Sequence, residues 1–165
     1  MSSSKAGIFW PVLATVYALD FITKRLVEAY LHPAYVPHRI IGDFVRFTLA
    51  YNKNAAMGLS LGGYSRIGFT ITAIIVLGVL GFLYYRSPDE SKASVFALAL
   101  ITAGALGNLT DRLMSAKGVV DFIDVGIGSS RFYTFNVADA AVSCGAVILA
   151  LLSLRSPRQQ EIRDA

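Results

Sequence analysis

Four aspartates, Asp111, Asp121, Asp124 and Asp139, crowd together in a chain that is otherwise poor in charge. Two of them have a setting suited to acid–base chemistry. Asp121 is the odd residue in the apolar, strand-like VVDFIDV, and Asp139 closes FNVAD at the mouth of the last long apolar run. The turn-rich GIGSS between them would fold one back towards the other. Two carboxyl groups brought close cannot both ionise easily, so one keeps its proton at neutral pH. The charged member of such a pair can activate a water while the neutral member donates a proton, as aspartyl-type peptide hydrolysis requires. Asp124 shares the local setting, but three positions along a strand it points to the face opposite Asp121.

Each of these residues also has a bland explanation. Asn136 is a good N-cap, and Asp139, three residues on, stands where a carboxylate reaches back to orphan backbone N–H groups and meets the positive end of the helix dipole. Taken alone, FNVAD is more often a cap than a catalyst; the company of Asp121 favours chemistry. The dipole makes Asp139 the expected ionised member of the pair. Upstream, GALGNLTDRL read as a helix puts Gly104, Asn108, Asp111 and Arg112 on one face. Gly104 and Gly107 would let another backbone approach closely, and Asn108 and Arg112 point towards the acidic cluster. Asp111 reads equally well as a helix terminator at the membrane surface.

The elements that must position these groups are membrane helices. Of the 165 residues 55% are hydrophobic and 16% charged, and mean hydropathy is +0.55; a soluble domain carries roughly 25% charge. Apolar runs predict four spans, at about 7–25, 67–85, 93–112 and 137–154, in a single integral-membrane domain covering 1–165. The first run has the general shape of a signal peptide, but without a small-x-small cleavage site it reads as a retained anchor. Phe44–Tyr51 alternates as a strand, with Val45, Phe47, Leu49 and Tyr51 on one face and Arg46 and Thr48 on the other, and VVDFIDV and RFYTF flank a hairpin. The fold class expected is therefore an α-helical membrane protein with four transmembrane helices and a small β-sheet on the membrane surface. Lys and Arg are split between the two sides without a decisive bias, so charge does not orient the chain.

Several functions are disfavoured. The basic residues form no stripe with interleaved aromatics, so nucleic acid is not an expected partner. Cys144 has no partner for a disulfide and no nearby His. His32 and His38 share a Pro-containing loop without further Cys or His, so no metal site is expected, and nothing calls for a cofactor.

GALGNLTDRL, VVDF and FNVADAA, in this order and spacing, together with DFITK (Asp20 to Lys24) and YNKNAAMGLS, resemble the conserved blocks of the bacterial lipoprotein signal peptidases, or signal peptidase II. The resemblance covers most of the chain from Asp20 to Ala141. It implies an inner-membrane aspartyl endopeptidase of four helices, with both termini cytoplasmic and the active site near the outer face. Its substrates would be diacylglyceryl-modified prolipoproteins, cleaved before the lipid-modified cysteine, and its other partners membrane lipids; a monomer is expected. By motif position Asp121 and Asp139 form the catalytic pair. Asn52, Asn108, Arg112 and Asn136 would support substrate or dyad, helped by Asp20 and Lys24. One block departs: Asn54 stands where Gly is expected and Met57 where Phe is.

Two rivals make different demands. A small transporter or ion-pathway protein would string polar residues through several spans, whereas here the second span is uncharged and the polar residues gather at one level. A Ser/Lys peptidase needs a serine near Lys24 or Lys53, and Ser60 has no recognisable context for it.

Overall fold

The computed structural model describes residues 3–53, 62–88 and 91–155. Four helices, α1 (Ser3–Tyr30), α2 (Ser65–Arg86), α3 (Lys92–Met114) and α4 (Val137–Arg155), overlie the four apolar runs, and each is long and apolar enough to cross a membrane. The helix α1 continues beyond the charges that start at Asp20. Lys24 pairs with Asp20 one turn back at 2.8 Å and Arg25 with Glu28 at 2.5 Å, so the polar turns continue the helix to Tyr30.

The axis of the bundle is α3, which packs against α1, α2 and α4. Half of its apolar window is buried, against 6% for α2, whose Ile67, Ile71, Ile74, Ile75 and Val79 face outward. Without a hydrophobic drive between helices in lipid, close packing needs small residues. A Cβ at Gly104 would overlap the Ala138 carbonyl of α4, so glycine there sets how near α4 can come. Gly107 makes room for the Asp20 carboxylate of α1 rather than for a backbone.

At one end of the bundle lies an antiparallel sheet in the order β1 (His38–Ile41), β2 (Val45–Asn52), β3 (Val119–Ile127) and β4 (Ser130–Arg131). It has a strand, β1, that the sequence pattern did not call for. The strand expected across RFYTF is only Ser130–Arg131; beyond it Phe135 makes an isolated bridge to Ile123. That bridge exchanges two hydrogen bonds, Ile123 N–H to Phe135 O at 2.8 Å and Phe135 N–H to Ile123 O at 3.0 Å, and so delivers Asn136 to the side of β3.

The alternation expected for β2 breaks halfway. Val45, Arg46 and Phe47 pair with Val125, Asp124 and Ile123, whereas Ala50, Tyr51 and Asn52 pair with Asp121, Val120 and Val119, leaving Thr48 and Leu49 opposite Phe122. The extra residue is a β-bulge, and it reverses the parity of the strand. Arg46 and Thr48 share the face of Asp124, while Ala50 and Asn52 share the face of Asp121. Leu49 and Tyr51 accordingly do not continue the face of Val45 and Phe47. Leu49 is fully buried against Val27 of α1 and Val120 and Phe122 of β3, the cluster that fixes the sheet to the bundle.

Candidate active site

Asp121 and Asp139 meet at the junction of sheet and bundle, joined through asparagines. Asp121 is buried on β3; its Oδ2 accepts from Asn52 Nδ2 at 3.1 Å, the contact the bulge makes possible, and its Oδ1 accepts from Asn136 Nδ2 at 2.7 Å. Asp139 stands in the first turn of α4 in a reciprocal capping box. Its backbone N–H donates to Asn136 Oδ1 at 2.9 Å, and its Oδ2 accepts from the Asn136 N–H at 3.2 Å. Its Oδ1 accepts from Asn108 Nδ2 at 2.8 Å. The fully buried Asn136 also donates to Asn108 Oδ1 at 3.1 Å and to the Val120 carbonyl at 3.2 Å. The cap and the pair are therefore one structure.

The two carboxyls are unlike. Burial, and after it the charge of Asp139, pushes the Asp121 carboxyl up to about 7, against the amide donors of Asn52 and Asn136 and the charge of Lys24. Near neutral pH Asp121 is thus poised to hold or release a proton.

Behind the pair lies a buried ionic cluster. Lys24 spends its three N–H donors on Asp20 at 2.8 Å, Asp111 at 3.0 Å and Asn108 Oδ1 at 3.1 Å. By engaging the oxygen of Asn108, Lys24 turns the NH2 of that amide towards Asp139. Asp20 Oδ1 accepts the Ala138 N–H at 2.9 Å, fastening α1 to the first turn of α4. Asp111 accepts from Arg25 at 2.7 Å and from the Val120 N–H at 3.2 Å, so it holds α1, α3 and β3 together. Nothing in the sequence distinguishes this buried tie from a helix-terminating charge. The composition alone hints at it: three acids and three bases, Asp20, Lys24, Arg25, Glu28, Asp111 and Arg112, share the ends of two adjoining helices.

Arg112 stands apart from the others. It lies within the electrostatic reach of Asp139 and Asp121, but its hydrogen bond is from Nη1 to the carbonyl of Asn108 at 3.1 Å. Asp124 faces away, as expected from its spacing, accepting from Arg131 at 2.8 Å and Thr48 at 3.3 Å. Asn54, Met57 and Ser60 lie outside the described residues. Among the described residues, no three His, Cys, Asp or Glu side chains are grouped to hold a metal ion.

Known proteins resemble the chain in sequence and in fold. A family model described as signal peptidase (SPase) II matches residues 12–155. A lipoprotein signal peptidase of Francisella tularensis subsp. mediasiatica is 37% identical over 142 residues, 84% of this chain and 86% of that protein. One from Psychromonas ingrahamii is 37% identical over 97% of this chain and 92% of its own length. Another, from Streptomyces coelicolor, is 38% identical over 92% and 72%. Two solved structures of bacterial membrane enzymes, obtained by the in meso method at 2.3 and 1.9 Å, superpose with TM-scores of 0.81 and 0.80. The first is 29% identical over 90% of this chain and 88% of that one; the second is 30% identical over 91% and 94%. Matched along most of its length in sequence and in fold, the chain belongs to the signal peptidase II family.

Proposed function

We propose that this signal peptidase is an aspartyl endopeptidase that removes the signal peptide from diacylglyceryl-modified prolipoproteins, cutting before the lipid-modified cysteine, with Asp121 and Asp139 as its catalytic pair. The observation that carries this reading is the unequal, asparagine-bridged pair: one buried carboxyl raised to about 7 beside a second held at a helix N-terminus. Asp139, as carboxylate, takes a proton from a water whose oxygen attacks the scissile carbonyl carbon. Asp121, as acid, gives its proton to the carbonyl oxygen, producing a neutral tetrahedral diol. Collapse of the diol breaks the C–N bond: a diol proton returns to Asp121, the proton held by Asp139 passes to the departing nitrogen, and the starting protonation state is restored. Asn52, Asn108 and Asn136 keep the acceptor oxygens of the pair in place, Lys24 and Asp20 fix Asn108 and the start of α4, and Arg112 faces the substrate's path.

In the same reading the chain is one integral-membrane domain, acting as a monomer in the bacterial inner membrane. Its termini lie in the cytoplasm, and the sheet and site lie at the outer face, where a substrate's apolar segment and lipid rest in the bilayer and the scissile bond reaches the helix ends. The test is cleavage of a diacylglyceryl-modified prolipoprotein in detergent by wild type, Asp121→Asn, Asp139→Asn and Asp124→Asn, with the melting temperature of each recorded. Loss of turnover in the first two variants but not in the third is expected, since Asp124 is equally a buried strand carboxylate but faces away. Normal cleavage by either dyad variant refutes the assignment.

A further inference from the structure

Arg66, in the first turn of α2, and Arg112, in the last turn of α3, come together at the sheet end of the bundle. Arg66 Nε donates to the Arg112 carbonyl at 2.8 Å and its Nη2 to the Leu113 carbonyl at 3.4 Å, while Arg112 Nη1 donates to the Asn108 carbonyl. All these acceptors are backbone oxygens. Other arginines of this surface have carboxylates: Arg25 has Asp111 and Glu28, Arg39 and Arg46 have Asp43, and Arg131 has Asp124. Among the described residues, no ion pair within 4.0 Å involves Arg66 or Arg112. A guanidinium offers five N–H donors, so most of theirs remain to be used.

The nearby acids do not neutralise the two guanidiniums. Asp139, Asp121 and Asp111 act on Arg112 through space, but none lies within 4.0 Å of its guanidinium, and Asp111 is already paired with Lys24 and Arg25. The two arginines also form the polar end of a cleft of about 400 Å³ between α2 and α3, whose remaining walls are Ile67, Thr70, Ile71 and Leu113. Ile67 and Ile71 are one turn apart on α2 and more than half exposed, so the aliphatic wall runs from the arginines into the depth of the span. Cationic at headgroup level and aliphatic below, the cleft repeats the order of polarity along an anionic lipid.

We propose that Arg66 and Arg112 bind the phosphate of an anionic phospholipid of the leaflet on the sheet side, with one acyl chain laid in the α2–α3 cleft. The phosphodiester supplies the counter-charge that the described residues do not, and two guanidiniums can engage its oxygens together. Arg112 then borders both this lipid and the substrate's path, so its part rests on the proposed function, whereas Arg66 and the aliphatic wall lie outside the catalytic pair and are tested by lipid binding alone.

The test is native mass spectrometry of the full-length protein in uncharged detergent, titrated with phosphatidylglycerol, with phosphatidylcholine and with glycerol 3-phosphate. One basic residue at a membrane surface contributes about 1 kcal/mol to anionic-lipid binding, roughly fivefold in affinity. Wild type is expected to bind one phosphatidylglycerol at least about fivefold more tightly than phosphatidylcholine, and Arg66→Gln to lose about that factor while Arg66→Lys keeps most of it. Ile71→Trp, which fills the cleft without touching either arginine, is expected to weaken phosphatidylglycerol binding as well, and it decides the matter should Arg66→Gln not fold. Equal affinity for the two lipids, unchanged binding in Arg66→Gln or Ile71→Trp, or glycerol 3-phosphate binding as tightly as the lipid would each overturn the proposal.

Discussion

Asn52→Ala removes one of the two amide donors that reach Asp121, and it tests the pair without deleting either carboxyl. The amide hydrogen bond favours the ionised form of Asp121, so its loss raises the carboxyl above its value of about 7. A hydrogen bond to a charged group is worth roughly 1.5–3 kcal/mol, and 1.36 kcal/mol corresponds to one pH unit, which gives an upward shift of about 1 to 2 units. Asn52 lines a cavity that water can enter, so the lower end of that range applies. The alkaline limb of the pH profile, where the pair loses the proton that Asp121 must donate, should therefore move up by about one unit. The assay is kcat/KM for a diacylglyceryl prolipoprotein peptide in mixed micelles from pH 5 to about 9.5, with thermal stability measured at each end. A limb that stays in place or moves down, in a variant that still folds, refutes Asp121 as the acid.

Asp121→Asn should raise stability at alkaline pH even as it abolishes turnover. A buried carboxyl raised from 3.8 to about 7 destabilises the fold progressively as pH rises from about 4 to 7, by up to roughly 4 kcal/mol, and the penalty then levels off. The gain in melting temperature over wild type should be large at pH 8 and nearly absent at pH 4. Asn136→Ser keeps an N-cap oxygen but loses the donors to Asp121, Asn108 and Val120. It should cut turnover by about 10² or more, the scale of losing one preorganised donor. Asn136→Ala should also lose about 1 kcal/mol of cap stability, so melting curves of the two variants separate cap from catalysis. Lys24→Met strands Asp20 and weakens the hold on Asp111, a loss of the order of 3–5 kcal/mol for a broken buried pair, to be read from unfolding in detergent.

The fold was legible in the sequence wherever one physical constraint dominates. Hydrocarbon demands long apolar helices, and α2, uncharged from Ile67 to Tyr85, could hardly be anything else. The capping box was legible as well, because it spans only three residues and local geometry decides it: Asn136 and Asp139 bond to each other as their spacing requires. Charge was less reliable as a boundary signal. The charges Asp20, Lys24 and Arg25 at the end of the first apolar run pair within the helix and across to α3, and the helix runs on to Tyr30.

By itself, then, the sequence determined the four helices, the capped start of α4 and the opposed faces of Asp121 and Asp124, since each follows from periodicity or from neighbours a few residues apart. Tertiary structure alone decided which partners those groups meet. The bulge at Thr48 and Leu49 turns Asn52 onto the face of Asp121, because only pairing with β3 shows that β2 carries an extra residue. Asp111 became a tie among α1, α3 and β3 and not a helix end, because its acceptors are filled by Lys24, Arg25 and the Val120 N–H, groups brought together only by folding. Spacing along a chain fixes which way a side chain points; what it points at depends on segments far away in the sequence, and the chemistry of a buried carboxyl follows from them.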